Sequence, residues 1–501
     1  MEALDWLVIG VFFLALIGII VWVVRQKQND SADYFLGGRD ATWLAIGASI
    51  FASNIGSEHL IGLAGAGASS GMAMAHWEIQ GWMILILGWV FVPFYTRSMV
   101  YTMPEFLERR YNPQSRTILS VISLVSYVLT KVAVTVYAGG LVFQQVFGIK
   151  ELWGIDFFWI AAIGLVVLTA LYTIFGGMKS VLYTSVLQTP ILLLGSLIIL
   201  VLGFKELGGW DEMMRVCGAV TVNDYGDTMT NLIRSNDDAN FPWLGALIGS
   251  AIIGFWYWCT DQFIVQRVLS GKNEMEARRG TIFGAYLKLL PVFLFLIPGM
   301  IAFALHQKYI GAGGEGFLPM LANGTANADA AFPTLVAKLL PAGVKGLVVC
   351  GILAALMSSL ASLFNSSAML FTIDFYKRFR PETPEKKLVG IGQVATVVIV
   401  ILGILWIPIM RSVGDVLYTY LQDVQSVLAP GIAAAFLLGI CWKRTSAQGG
   451  MWGLIAGMII GLTRLGAKVY YSNAGEVADS TFKYLFYDMN WLFFCGWMFL
   501  F

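Results

Sequence analysis

Apolar runs of about 20 residues recur from one end of the chain to the other, separated by short segments rich in charged residues, glycine and proline. A membrane-spanning helix needs about 20 apolar residues, because the hydrocarbon core of a bilayer is roughly 30 Å thick. The pattern therefore predicts an all-α polytopic membrane protein with about thirteen spans. The predicted spans are residues 4–24, 42–68, 71–96, 117–148, 155–175, 180–204, 243–265, 281–305, 342–374, 388–410, 413–441, 449–472 and 484–501.

The composition excludes a soluble protein. Of the 501 residues, 58% are hydrophobic and only 13% are charged, whereas soluble domains carry about 25% charged residues. The net charge of +1 and the scattered lysines and arginines give no support for a nucleic-acid partner. Five widely separated cysteines indicate neither a disulfide framework nor a zinc site. The lipid bilayer is the predicted surrounding, and no obligate protein partner is indicated.

The distribution of basic residues predicts the orientation. With the N-terminus outside, the inner loops hold 19 of the 32 lysines and arginines and the outer side holds 11, which agrees with the positive-inside rule. The last apolar run reaches Phe501 with no basic residue after it, so we expect that a further C-terminal segment has been lost. Short loops favour a plasma membrane, and a bacterial inner membrane in particular.

Two spans contain interruptions at matching positions. Polar and glycine residues at 53–57 interrupt the second span, and Gly254 together with residues 260–262 punctuates the seventh. Such a pair, five helices apart, is typical of transporters built from two inverted repeats around a midplane site. Ordinary packing of small residues between helices is the alternative interpretation.

We therefore expect one transmembrane transporter domain over 1–501, with four parts. They are an extra N-terminal span at 4–30, a first five-helix repeat at 42–204, a second, inverted repeat at 243–441, and C-terminal spans at 449–501.

Several ionisable or amide side chains fall inside spans, where a charge costs roughly 2.5–3.5 kcal/mol on insertion scales. These side chains are Glu58, His59, Glu78, Lys288, Gln422 and Asp423. If they converge on one cavity, they can hydrogen-bond a polyhydroxylated ligand, while Tyr257 and Trp258 cover an apolar face of it. A structural ion pair between Glu78 and Lys288 without a ligand is the alternative.

Ser358 and Ser359 lie on a helix of small residues and share one face with Ala355. Two hydroxyls and the free carbonyls of a helix break form an uncharged oxygen cage that suits an alkali cation. Paired serines also form hydrogen bonds between membrane helices, and that interpretation stays open. The sequence contains neither a phosphate-binding loop of the Gx4GK[ST] type nor an HExxH motif, so an enzyme or an ATP-driven pump is not indicated.

Five motifs together resemble the sodium/glucose cotransporters of the sodium:solute symporter family, in order and with similar spacing from about residue 30 to 460. They are GASIFASNIGS at 47–57, WYWCTDQ at 256–262, VQR at 265–267, LMSS at 356–359 and FNS at 364–366. The resemblance implies a fold of five plus five helices in inverted repeats, with flanking spans, and sodium as the co-transported ion.

The resemblance also implies which residues bind. The sodium site would use the carbonyls of Ala52, Ile55 and Ala355 and the hydroxyls of Ser358 and Ser359. The sugar-site positions are Asn54, His59, Glu78, Tyr257, Trp258, Lys288 and Gln422. Tyr257 would cap the sugar on the inner side, and Tyr418 matches an aromatic residue of the outer gate.

Three positions depart from the family pattern. Ser185 replaces an aspartate and Ala361 replaces a hydroxyl residue, both of which belong to a second cation site in relatives that use one. Their loss predicts one sodium per sugar. Gly254 stands where several relatives have a polar side chain, which leaves the identity of the sugar open.

The predicted function is sodium-coupled symport of a hexose, glucose or galactose, by alternating access. Three alternatives remain at this point. The same fold could carry inositol, another polyol or an amino-sugar; it could be a sugar-gated cation channel or sensor; or it could couple transport to protons through Glu78 or Glu58.

Overall fold

The computed structural model describes the chain apart from residues 27, 29, 57, 322–323, 414–416, 474–479 and 501. The side chains of residues 129–130, 145, 409–413, 417–424 and 472–473 also lie outside the description. Most of the described chain is helical, as predicted.

Five helices carry the residues discussed below. They are α1 (Trp43–Asn54), α2 (Phe157–Leu207), α3 (Trp243–Phe255), α4 (Gln262–Leu269) and α5 (Val344–Met369). The other α-helices are Ala3–Val24, Ser31–Leu36, Ala64–Ser70, Ala75–Ile79, Met83–Ile86, Val92–Ser98, Met103–Arg110, Pro113–Ser126, Ala133–Phe147, Trp210–Gly218, Glu274–Leu287, Ile297–Gly311, Ala331–Leu339, Lys377–Phe379, Glu385–Val413, Leu417–Cys441, Ala447–Asn473, Thr481–Lys483 and Trp491–Leu500.

Shorter helical segments of other pitch join these helices. Wide π-type turns occur at Glu58–Leu63, Leu87–Phe91, Tyr127–Val132, Trp256–Thr260, Val292–Leu296, Leu370–Tyr376 and Tyr484–Asp488, and tight 3₁₀ turns at Gly37–Arg39, Gly71–Met74, Gln80–Trp82 and Ala328–Ala330. One small antiparallel hairpin pairs Glu151–Leu152 with Ile155–Asp156.

The helices are long and apolar enough to cross a membrane. Among the described residues, eight stretches of at least 18 residues meet that test by length and composition, and four shorter apolar helices accompany them. One of the long stretches, α2, is kinked at Gly177, where φ is 53° and ψ is −148°. α2 covers two of the predicted spans, 155–175 and 180–204. When its two halves are counted separately, the eight long stretches and four shorter helices give thirteen segments, one for each predicted span.

Both predicted interruptions are breaks in the helices. α1 ends at Asn54, Ile55 is extended with φ −79° and ψ 98°, and helical structure resumes at Glu58–Leu63. In the other repeat α3 continues into a π turn, Asp261 is extended with φ −73° and ψ 129°, and α4 follows. The prediction of two broken helices is therefore confirmed, and the chain has the five-plus-five inverted-repeat transporter fold.

One detail of the prediction is wrong, because Gly254 lies inside α3 rather than at its break. α5 runs without interruption through Ser358 and Ser359, and the helix break beside them is the one after α1. The helix Leu417–Cys441 continues through positions 422 and 423.

α5 lies at the centre of the bundle and the N-terminal helix lies at its edge. In the stretch that includes α5, 89% of the span residues are buried, against 22% in Ala3–Val24. α5 packs antiparallel to the second half of α2, with matched neighbours every seven residues. These neighbours are Met178 with Asn365, Ser185 with Ser358, and Leu192 with Gly351.

Two glycines bring helix backbones from the two repeats into direct contact. A Cβ atom added to Gly67 would lie 2.3 Å from the carbonyl oxygen of Leu296, and one added to Gly299 would lie 2.0 Å from the carbonyl oxygen of Ala64. The helices Ala64–Ser70 and Ile297–Gly311 therefore touch where no side chain separates them, a common solution in membrane bundles.

Two longer connecting segments, 205–242 and 306–341, cover the ends of these helices. The amide of Met72 donates to the carbonyl of Met229 at 2.7 Å, and the buried Arg234 guanidinium donates to the carbonyl of Ser70. From the second cap, Asp329 lies against Gly65.

Candidate functional site

A small polar cavity lies where the two broken helices face each other, and its volume is about 30 Å³. Six of the seven predicted sugar-site residues line it, together with five further residues. The lining residues are Asn54, Glu58, His59, Trp77, Glu78, Gln80, Ile253, Tyr257, Trp258, Lys288 and Gln425. Since Asn54, His59, Glu78, Tyr257, Trp258 and Lys288 are all among these, the structure brings together every predicted residue whose side chain it describes, six in all.

Glu78, Lys288 and His59 form a buried triad on one wall of this cavity. Lys288 Nζ lies 2.5 Å from Glu78 Oε2, and His59 Nε2 lies 3.2 Å from Glu78 Oε1. His59 Nε2 also lies 2.7 Å from Lys288 Nζ. With one hydrogen position, Nε2 can donate to the carboxylate or accept from the ammonium, but it cannot do both.

The opposite wall contains the aromatic residues of the second break. Asn54 Nδ2 donates to the hydroxyl of Tyr257 at 3.0 Å, which joins the ends of α1 and α3. Trp258 is buried, and its ring lies 5.7 Å from Lys288 Nζ, within the range of a cation–π contact.

Several polar atoms of the lining residues have no hydrogen-bond partner among the described residues. They are Asn54 Oδ1, His59 Nδ1 and Gln80 Oε1. A buried polar atom without a partner costs about 1–3 kcal/mol. Two acceptors and one ring nitrogen thus face a single cavity, where water or the hydroxyls of a polar ligand can satisfy them.

The cavity is contracted. A volume of about 30 Å³ holds one or two water molecules, whereas sites for small organic ligands span roughly 300–1,000 Å³. A sugar would fit only after the walls separate. The conformation described here is therefore a closed one.

A second group of buried oxygen atoms lies between the break after α1 and the middle of α5. Ser359 Oγ donates to the carbonyl of Ser53 at 2.7 Å and lies 3.4 Å from the carbonyl of Ile55. Ser358 Oγ lies 3.2 Å from the hydroxyl of Ser185 on α2. Ala52, Ile55 and Ala355 are each at most 1% exposed and belong to the same two segments. These uncharged oxygens are the hard ligands that an alkali cation requires.

Gln422 and Tyr418, predicted for the sugar site and the outer gate, lie outside the residues whose side chains are described. Gln425, one turn later on the same helix, does line the cavity.

Sequence reasoning missed Gln80, although it is an amide inside an apolar span and could have been noticed as such. The position of Gln80 also explains why residue 254 is a glycine, since a Cβ atom at residue 254 would lie 2.6 Å from Gln80 Oε1. The glycine allows the amide to reach the cavity wall.

A second buried ion pair, also missed, lies beside the break after α3. Lys131 Nζ is 2.6 Å from Asp261 Oδ2, and the hydroxyl of Tyr127 donates to Asp261 Oδ1. Lys131 Nζ also lies 4.7 Å from the ring centre of Tyr257. Asp261 accepts from the amide of Phe263 and so caps α4. The sequence signal was present, because Lys131 is a charged residue within a span.

Comparison with known sequences gives matches over most of the chain. The family model described as "Sodium:solute symporter family" matches residues 34–457. The human sodium/myo-inositol cotransporter 2 is 38% identical over 479 residues, covering 93% of this chain and 70% of the relative. The rat sodium/glucose cotransporter 2 is 38% identical over 512 residues, covering 98% of this chain and 75% of the relative.

Comparison with solved structures shows the same fold. The chain superposes on a sodium-coupled sialic acid symporter in a substrate-bound outward-open state with a TM-score of 0.79 and 21% identity. That match covers 100% of this chain and 96% of the other. The crystal structure of MhsT in complex with L-phenylalanine gives a TM-score of 0.54 at 13% identity, covering 84% of this chain and 98% of the other.

Proposed function

Because the chain belongs to the sodium:solute symporter family and is a sodium-coupled symporter, we propose that its solute is a hexose, glucose or galactose, carried with one sodium ion. The protein is a multi-pass integral membrane protein, and we place it in a plasma membrane. The proposal assigns it transport and no catalytic activity.

The unpartnered polar atoms of the cavity support a polyhydroxylated solute. Asn54 Oδ1 and Gln80 Oε1 are acceptors that sugar hydroxyls can satisfy, while His59 Nδ1 can donate or accept. Glu78 and Lys288 add charge-assisted hydrogen bonds, which are about twice as strong as neutral ones. An apolar or a singly charged solute would satisfy fewer of these atoms.

The substrate site in this proposal consists of Asn54, His59, Glu78, Tyr257, Trp258 and Lys288, with Gln422 added from the family resemblance. Tyr257 and Trp258 would lie against the apolar face of the ring. Tyr257 serves as the inner gate, since its hydroxyl already connects the two breaks through Asn54. Tyr418 serves as the outer gate.

Sodium binds, in this proposal, between the break after α1 and α5. Its ligands are the carbonyls of Ala52, Ile55 and Ala355 and the hydroxyls of Ser358 and Ser359. The hydrogen bond from Ser359 Oγ to the carbonyl of Ser53 then stands in for the contacts that the ion makes when it is bound.

Coupling follows from the shared break. Asn54 belongs to the sugar cavity, and its neighbours Ser53 and Ile55 contact Ser359. A sodium ion that holds the backbone at Ser53 and Ile55 in place therefore also holds Asn54, a residue that binds the sugar. By linkage, sodium raises the affinity for sugar by the same factor as sugar raises the affinity for sodium.

A second candidate cargo is myo-inositol, because relatives that are named for its transport are as similar to this chain as those named for glucose. Its six hydroxyls would satisfy the same atoms.

Uptake of radiolabelled glucose into proteoliposomes under an inward sodium gradient tests the proposal, with potassium in place of sodium as the control. Unlabelled galactose and myo-inositol are the competitors. We expect concentrative uptake with sodium only, and stronger competition by galactose than by myo-inositol. Stronger competition by myo-inositol would reassign the cargo, and sodium-driven current without sugar flux would indicate a sensor.

A further inference from the structure

Gln188 is a buried amide without a hydrogen-bond partner. It lies in the second half of α2 and is 1% exposed. Within the part of the chain that the structure describes, neither its Oε1 nor its Nε2 has a partner. A buried polar group that makes no hydrogen bond destabilises a folded protein. Such groups are rare, and an unpaired one often marks a position where an ion or a water binds.

The register between α2 and α5 places Gln188 opposite a residue of the proposed sodium site. Gln188 follows Ser185 by three positions and precedes Leu192 by four, so the three residues share one face of α2. Because the two helices run antiparallel, the register that pairs Ser185 with Ser358 and Leu192 with Gly351 matches residue 188 with residue 355. Residue 355 is Ala355, whose carbonyl is a proposed sodium ligand.

The same turn of α2 also touches α1. Thr189 Oγ1 donates to the carbonyl of Ala48 at 3.1 Å. Ala52, whose carbonyl is another proposed sodium ligand, follows Ala48 by about one helical turn. Gln188 therefore lies where α1, α2 and α5 meet, beside the segments that supply the proposed ligands.

The chemistry of the amide suits the ion rather than the sugar. Gln188 is not among the residues that line the sugar cavity. Side-chain amide oxygens bind hard cations as backbone carbonyls do. Oε1 is thus an uncharged oxygen of the same kind as those already proposed to hold sodium.

We infer that Gln188 is a further ligand of the proposed sodium site and supplies its amide oxygen to the ion. Sodium then joins three helices, because α2 contributes an oxygen beside those of α1 and α5. The inference rests on the proposed function, since it concerns the site assigned to the co-transported ion.

Thermal unfolding of the purified protein in sodium chloride and in choline chloride measures ion binding without transport. Gln188→Met keeps the length of the side chain and removes the amide. Because the unpartnered amide destabilises the ion-free protein, this variant should melt at or above the wild-type temperature in choline chloride. Sodium should raise its melting temperature much less than that of the wild type. The sodium concentration for half-maximal uptake should rise by about tenfold, or about 1.4 kcal/mol.

Gln393→Met is the matched control, because Gln393 Nε2 donates to the carbonyl of Ile174 at 3.1 Å. It should melt at a lower temperature in choline chloride and keep the full stabilisation by sodium. A merely structural amide at residue 188 would give this same pattern. Gln188→Glu is a second test: a charged oxygen binds a cation more strongly, so the sodium concentration for half-maximal uptake should fall.

Distinct results overturn distinct claims. A wild-type stabilisation by sodium in Gln188→Met, as expected if the amide holds only a water, would overturn the role of Gln188. If Gln188→Met does not fold, unchanged sodium activation of Gln188→Glu would overturn it. Ser359→Ala in the same measurement tests the site itself: loss of the stabilisation leaves the sodium site intact, and its retention rejects the site. Absence of sodium-dependent uptake in the wild type would instead reject the proposed cargo.

Discussion

Asn54 and Tyr257 are 203 positions apart in sequence, yet Asn54 Nδ2 donates to the Tyr257 hydroxyl at 3.0 Å. The hydrogen bond connects the break of one repeat directly to the break of the other. It closes the contracted cavity on the side that we assign to the inner gate.

Tyr257→Phe should loosen this closure. The substitution keeps the ring but leaves the Asn54 amide without its partner, at a cost of about 1–3 kcal/mol. We expect sugar to leave preloaded proteoliposomes several-fold faster in the absence of a sodium gradient. Tyr34→Phe is the control, since its hydroxyl donates to the Ile174 carbonyl at 3.1 Å, far from the cavity. Equal efflux rates for the two variants would contradict a gate at Tyr257.

Glu78 and Lys288 allow a double-mutant cycle. Removal of one partner of a buried ion pair leaves an uncompensated charge and costs about 3–5 kcal/mol. Glu78→Gln and Lys288→Met should each lower the melting temperature, while the double variant should recover most of the loss. Uptake should be abolished in all three proteins. Additive losses in the double variant would show that the two groups do not stabilise each other.

Ser359→Ala removes the hydroxyl nearest the break after α1. We expect the sodium concentration for half-maximal uptake to rise at least tenfold, which corresponds to about 1.4 kcal/mol. Ser362→Ala, one turn further along α5, is the matched control because its hydroxyl donates to the Ser358 carbonyl of its own helix at 2.7 Å. If both variants show wild-type sodium activation, the proposed cation site is wrong.

Gly67→Ala and Gly299→Ala test the direct contact between the two repeats. Each added methyl group would overlap a carbonyl oxygen of the facing backbone, so both variants should lose folded protein or melt at a much lower temperature. Gly164→Ala lies within α2 with no atom within 4 Å of the added Cβ. It should be neutral or stabilising by up to about 1 kcal/mol. Size-exclusion profiles and melting curves distinguish these outcomes.

The fold was predictable because its main signals are local. Twenty-residue apolar runs and two matched interruptions follow from the thickness of the bilayer and from the need to satisfy backbone polar groups inside it. That Glu78 and Lys288 line the cavity could also be predicted, because a charged side chain within a span is costly and usually faces a partner or a polar cavity.

The remaining features depend on contacts between distant positions. Nothing in the sequence around Gly254 shows that Gln80 requires the space, and the glycine was therefore misread as a helix break. Arg267 lies in a segment that reads as an inner loop, whereas α4 buries it beside Ser49. Such pairings arise from tertiary packing, which local patterns do not encode.

The backbone contacts at Gly67 and Gly299 restrict how the cavity opens. They hold together the helix that leads towards Glu78 and the helix that follows Lys288, and a Cβ added to Gly81 would lie 2.6 Å from Lys288 Cγ. Glu78 and Lys288 therefore lie on segments whose helices pack backbone against backbone. We expect Tyr257 and Trp258, rather than this ion pair, to shift when the cavity expands around a sugar.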